Sequence, residues 1–297
     1  MQALDIEEWS DDAVVLERIS QLLRRGSVAL VLGAGASIGF GLPDWGTLMD
    51  RMCARLQLKR STLPLEAEAS RIQREAYAGD RTKFVAAVRE SLYDGFSGKF
   101  ESLRQNELLA SVGAMVMASA RGGVRRVVSF NFDDLVEQYL RFHGFVVRSI
   151  GEWPAWNGRE DVSVLHPHGL LPIDPSRKPG ERLILTQADF DAVTGTATEP
   201  WHRACVETFS THFCIFVGLS GADQNLRSMR LQAQKVHIAG RQSSPYWGVR
   251  FALTSDERNG EWDEQGVRVI NIDSYARVPA MLLAICQTAA SDEMLQE

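Results

Sequence analysis

Asn131, Asp133, His166 and His168 carry the chemistry this sequence offers. In "VVSFNFDDLVEQ" (127–138), Ser129, Asn131 and Asp133 fall at alternate positions just past an apolar run. In "VSVLHPHGLL" (162–171), two of the six histidines stand one residue apart, followed by Gly169. An asparagine amide both donates and accepts hydrogen bonds, so it can hold a sugar hydroxyl or a water. A neutral imidazole, with an ordinary pKa of about 6.5, can accept a proton at neutral pH. A metal pair is disfavoured: H-P-H lacks i,i+4 geometry, and no neighbouring Cys, Glu or third His completes a ligand set. No metal is expected. His168 is the candidate base, and His166 is expected to end a strand and support it. Asp133 either joins the crevice or caps the next helix.

A second constellation lies upstream. "VALVLGAGASIGFGLPDW" runs an apolar strand into Gly33-Ala34-Gly35-Ala36-Ser37. Glycines there let the backbone turn sharply and approach a pyrophosphate, whose charge the following N–H groups can stabilise. The third glycine, Gly39, comes one position late for the dehydrogenase fingerprint, and no acid ends a second strand. Pro43, Asp44 and Trp45 then either start a helix, with Asp44 as its cap, or contribute to the pocket. "FVGLSGADQNLRSM" (216–229) repeats the strand, glycine and helix pattern through Gly218, Ser220 and Asp223. It could hold more of a dinucleotide or be only a capped helix start.

These residues need a sheet to carry them. Runs rich in Val, Ile and Phe at 27–33, 125–130, 145–150, 162–166, 212–218, 246–253 and 266–272 read as strands. Helical patterns at 11–25, 46–58, 132–143, 200–212, 223–237 and 278–290 alternate with them. Continuous apolar strands between helices predict an α/β fold: a Rossmann-like parallel sheet with helices on both faces. Ligands in such sheets bind beyond the carboxyl ends of the strands, where all the motifs above fall. Residues 59–121 show no strand pattern and read as a helical insertion within a single domain spanning 1–297. The stretches 151–161 and 172–181 read as loops.

Composition narrows the class. Apolar residues make up 45% of the 297 residues and charged residues 24%, which fits an ordinary globular protein. The acidic start carries no secretory pattern, and the longest apolar run is broken by glycines, so no membrane segment is expected. The four cysteines are scattered without a C-x-x-C pair, which excludes the usual zinc module and points to the cytoplasm. A net charge of −6 argues against direct nucleic-acid binding.

Taken in order, "GAGAS" (33–37), "GLPDW" (41–45), "NFD" (131–133), "HG" (168–169), "GLSGADQNLR" (218–227) and "VRVINIDSY" (267–275) resemble the sirtuin family, in particular the sirtuin-like domains of bacterial anti-phage defence proteins. The resemblance spans most of the chain. It implies NAD+ as substrate, with Gly33, Ala34, Gly35 and Ser37 on the pyrophosphate and Asn131 and His168 catalytic beside the nicotinamide ribose. Asp133 would support that ribose pocket, with Ser129, Pro43, Asp44 and Trp45 around it. Gly218, Ser220 and Asn271 would contact the adenosine side.

Two departures separate this sequence from protein-deacylating sirtuins. It lacks their four-cysteine module, and Asp44-Trp45-Gly46 stands where they carry D-F-R. The resemblance therefore points to an NAD+ glycohydrolase of defence type, releasing nicotinamide and ADP-ribose. Alternative implications are an NAD-dependent deacylase or ADP-ribosyltransferase, and a non-catalytic NAD- or ADP-ribose-sensing subunit. Little chain after residue 290 is left for an effector domain, so control is expected in trans. A homo-oligomer, or a complex with a HerA-type ATPase or other defence protein, would supply it. The N-terminal helix (11–25) and the insertion (59–121) are the candidate assembly surfaces.

Overall fold

The computed structural model describes residues 7–96, 100–117, 123–152, 158–174, 176–177, 182–194, 199–240 and 244–291. Among them, β1 (Val28–Leu32), β2 (Arg126–Ser129), β3 (Val147–Ile150), β4 (Val162–Leu165), β5 (Phe213–Val217), β6 (Gly248–Leu253) and β7 (Val267–Ile272) form one sheet. Its order is β3-β4-β2-β1-β5-β6-β7, and every pairing is parallel. All five residues of β1 are buried, as a central strand covered on both faces requires. The chain leaves β1 toward β2 on one side and later returns to β5 on the other. Leu32 pairs with both Ser129 and Val217, so the loops after β1, β2 and β5 leave the sheet at one level. That reversal of strand order is where open α/β sheets open a ligand crevice.

The helices in chain order are α1 (Asp12–Arg24), α2 (Gly35–Ile38), α3 (Trp45–Arg55), α4 (Leu65–Tyr77), α5 (Arg81–Leu92), α6 (Phe100–Arg104) and α7 (Glu107–Met117). They continue with α8 (Leu135–Phe142), α9 (Gln187–Val193), α10 (Pro200–Thr211), α11 (Gln224–Ala239), α12 (Asn259–Glu264) and α13 (Val278–Ala290). One face of the sheet packs α1, α7, α8 and α13 through Ile19, Val112, Leu140 and Leu282. The other face packs α10, α11 and α12 through Phe209, Met229 and Trp262. Helices α3, α4 and α5 build a separate core with Leu171, Leu183 and Leu185. None of the described helices is long and apolar enough to cross a membrane.

All seven expected strands are present. Two helical boundaries differ by three residues, each for a local reason. The helix expected from 132 begins at Leu135, because the Asp133 and Asp134 carboxylates bond elsewhere. The helix expected through 58 ends at Arg55, and Gln57 turns to φ 55°. The insertion is not one body: α4 and α5 join α3, whereas α7 covers the sheet with Leu109 and Met115 in the main core. Helices α9 and α12 were not expected. The predicted loops at 151–161 and 172–181 lie partly outside the described residues.

Candidate active site

The glycine loop and the loop after β5 are pressed backbone to backbone. Gly33 N–H donates to Val217 O and Gly35 N–H to Gly218 O, each at 3.0 Å. A Cβ on Gly35 would sit 2.7 Å from Gly218 Cα, and one on Gly33 would strike Leu219. Gly218 itself holds φ +70°, and its Cβ would meet Ala36 N at 2.4 Å. The glycines thus let two loops of the crevice interlock. Ala34 caps the short α2 from a half-buried position, and Gly35 is exposed.

Ser37 in α2 ties this loop to the segment after β2. Its hydroxyl donates to Asp133 Oδ2 at 2.8 Å. Asn131 Nδ2 donates to Gly33 O at 2.9 Å and to Ser37 Oγ at 3.0 Å. Ser129 Oγ accepts from Asn131 N at 3.3 Å, and all four residues are buried. Asn131 Oδ1 accepts from none of the described residues. Asp133 Oδ2 accepts from Ser37 and its Oδ1 from Leu135 N, the first residue of α8, whose N-cap position is held by Asp134 rather than Asp133. Burial raises its carboxyl to about 6, against the pull of the Ser37 and Leu135 bonds; Glu137 adds to the rise and His166 opposes it.

His168 lies in the turn after β4, buried between two ring edges. Phe130 is 5.0 Å away and Phe190 5.6 Å, both edge-on. Its Nε2 stands 3.2 Å from Asp223 Oδ2, outside hydrogen-bond alignment. Burial lowers the imidazole below the ordinary histidine value; Asp223 draws it up and Arg182 pushes it down. The imidazole is therefore neutral at pH 7. Gly169, at φ +102°, is packed against the Arg182 carbonyl, which a Cβ would reach at 2.0 Å. The glycine therefore serves the close approach of the 182–184 segment, where Ile184 N bonds His168 O at 2.8 Å.

His166 is sealed from solvent. Its Nδ1 is 3.1 Å from Asn131 O, and its Nε2 is 2.7 Å from Glu137 Oε1. Among the described residues no group of three His, Cys, Asp or Glu could hold a metal ion. All four cysteines are free and buried.

The remaining candidates spread outward. Asp44 caps α3, accepting from Thr47 N at 2.7 Å, and Pro43 is buried in the turn before it. Trp45 stacks on Phe190 at 5.5 Å, joining the wall around His168. Ser220 is exposed in the loop after β5, and Asn271 is exposed on the edge strand β7, opposite Ala252 of β6. The structure groups Gly33, Ser37, Ser129, Asn131 and Asp133 directly; Ser220 and Asn271 stand apart.

Sequence reading gave no role to Phe190 or Asn225 and did not foresee where Asp223 lies. Phe190 lies on α9, announced by the capping box Thr186-x-x-Asp189, whose Thr186 accepts from Asp189 N. Asp223 was visible as a helix cap, accepting from Leu226 N at 2.8 Å, but not as the neighbour of His168. Asn225, buried at the start of α11, has both amide atoms without a partner among the described residues.

Residues 125–270 match the family model described as the SIR2-like domain. No curated protein matches the chain. Among solved structures, the chain is similar to one described as the crystal structure of a Sir2 homolog–NAD complex. The identity is 12%, covering 92% of this chain and 95% of that one, with a TM-score of 0.52. The SIR2-like match runs from β2 into β7, and at that identity the likeness over nearly the whole chain is one of fold.

Proposed function

We propose that this chain hydrolyses NAD+ to nicotinamide and ADP-ribose, with Asn131 and His168 as its catalytic residues. The observation that carries this reading is that an Asn131 amide bonded to the glycine loop and a buried, neutral His168 follow the neighbouring parallel strands β2 and β4 at one end of the sheet. The SIR2-like match and the fold shared with a Sir2 homolog–NAD complex support NAD+ as the substrate.

Cleavage breaks the bond between ribose C1′ and the nicotinamide nitrogen, and the electron pair leaves with the ring. Water supplies the new C1′–O bond. Asn131, with Oδ1 open among the described residues, orients the ribose and that water. His168 accepts the proton from a ribose hydroxyl or from the water. Such positioned base catalysis is worth roughly 10²–10⁴-fold. Phe130 and Phe190 stand edge-to-face with the imidazole, and Trp45 stacks on Phe190.

An enzyme that depletes NAD+ needs restraint. The proposal therefore includes a role in bacterial anti-phage defence, with control by a homo-oligomer or by a partner such as a HerA-type ATPase. The test is nicotinamide release from NAD+ by the purified protein, alone and with the product of a neighbouring gene. Asn131→Ala and His168→Ala should abolish release while the protein stays folded. A fully active His168→Ala protein overturns the assignment. Acyl-ADP-ribose or a modified protein as product would move the reading to acyl or ADP-ribosyl transfer, and binding without turnover would move it to a sensor.

A further inference from the structure

His166 is not used by the chemistry above, yet it sits in a fully buried ion pair with Glu137. Burying two charges is costly, and an apolar pair of similar volume is often as stable or more so, so stability alone is a weak reason for it. The bonds themselves suggest another. Asn131 O and the Glu137 carboxylate are both acceptors, so both imidazole nitrogens must carry protons. The His166 backbone is pinned as well: its N–H donates to Ile150 O at 2.9 Å, and its carbonyl accepts from Gly169 N at 2.9 Å. The imidazole is thus a rigid strut from β4 to the residue whose amide grips the glycine loop.

We infer that His166 and Glu137 form a positioning pair: the doubly bonded imidazole holds the Asn131 carbonyl, and thereby keeps the Asn131 amide aimed at Gly33 and Ser37. This rests on the proposed role of Asn131. Neighbouring contacts reinforce the strut, since Leu171 N bonds Phe132 O at 2.7 Å and Ile173 N bonds Asp134 Oδ1 at 2.8 Å. Segment 166–173 is therefore laced to segment 131–134 along its length, with His166 at the end nearest the glycine loop.

Glu137→Gln removes the charge, but a neutral His166 can still donate from Nδ1 to Asn131 O, so its kcat should stay within about threefold of the wild type. Glu137→Met/His166→Phe conserves volume, leaves no unpaired charge and orphans the Asn131 carbonyl. Its kcat for NAD+ should fall on the order of 100-fold with KM within about threefold, as expected when a reacting group is misplaced but the substrate still binds. Glu137→Gln/His166→Leu serves where that double variant fails to fold. A second readout needs no turnover: hydrogen exchange of the Asn131 side-chain amide should be slow in wild type and Glu137→Gln and fast in the double variant. A folded double variant with wild-type kcat, or with the amide still slow to exchange, overturns the inference. Asn131→Ala is run in parallel. If it retains turnover, the proposed role of Asn131 fails, and the exchange measurement still decides whether the pair holds its amide.

Discussion

His168 Nε2 stands 3.2 Å from Asp223 Oδ2 without the alignment of a hydrogen bond. The contact joins the turn after β4 to the first residue of the α11 cap, across β2 and β1. Its effect is electrostatic: burial lowers the imidazole and Asp223 partly restores it. Removing the carboxylate should therefore lower His168 further. Asp223→Asn retains a good cap for α11, so the fold is kept. The acid limb of kcat/KM, read as nicotinamide release against pH, should move to lower pH in Asp223→Asn while the rate at pH 7.5 stays near wild type. Asp133, raised to about 6, titrates in the same region, so the shift is read as the difference between the two proteins. A limb that moves to higher pH contradicts this account of His168.

Phe190 tests the same imidazole from the other side. Its ring stacks on Trp45 and meets the His168 ring edge-to-face, adding to the burial of the imidazole. Phe190→Ala should cost about 3 kcal/mol of stability, as truncating a buried aromatic does. It should also admit water and relax the depression caused by burial, so the acid limb should rise toward about 6.5. Urea unfolding measures the first effect and the pH profile the second. An unmoved limb in a folded, active variant means that Phe190 does not wall the base.

The strands were legible because a central parallel sheet demands unbroken apolar runs, and β1 and β5 supply them. The glycine loop, Asn131, Asp133 and His168 were legible because chemistry at strand ends leaves polar residues directly after apolar ones. What escaped depends on distance in sequence. Asp223 reads as a cap, and only the folding of β5 beside β1 brings its carboxylate to His168. Glu137 sits on the buried face of α8 with Tyr139 and Leu140, where a sequence pattern shows a polar residue but not its partner. Helix α9 is seven residues long, too short for a period to stand out, although its capping box was in plain view.

Asp133 gives a pH dependence of defined sign. Its folded carboxyl is raised from 3.8 to about 6, mainly by burial. Between those values the folded chain keeps a proton that the unfolded chain has released. Stability from this group is therefore greatest below 3.8 and declines as pH rises through 6, by on the order of 2–3 kcal/mol. Asp133→Asn lacks that titration. Its unfolding free energy minus that of the wild type should increase between pH 4 and pH 7.5. Glu137 and His166 are present in both proteins, so their own titrations largely cancel in the difference. A difference independent of pH would show that the Asp133 carboxyl is not raised by its surroundings.

The interlock of the two crevice loops separates backbone strain from collision. Gly26 and Gly218 hold nearly the same φ, +66° and +70°, but a Cβ on Gly26 meets nothing within 4 Å, whereas one on Gly218 reaches Ala36 N at 2.4 Å. Gly26→Ala should cost only the left-handed strain, about 1–2 kcal/mol. Gly218→Ala carries that strain and must also push the loop after β5 off the glycine loop, bringing the total to about 2–5 kcal/mol. The displaced Gly33 carbonyl and Ser37 hydroxyl are the anchors of Asn131, so nicotinamide release should fall with Gly218→Ala and persist with Gly26→Ala. Urea unfolding and the release assay on both variants decide it. Equal losses of stability and activity in the two would mean that the loops are not held by this contact.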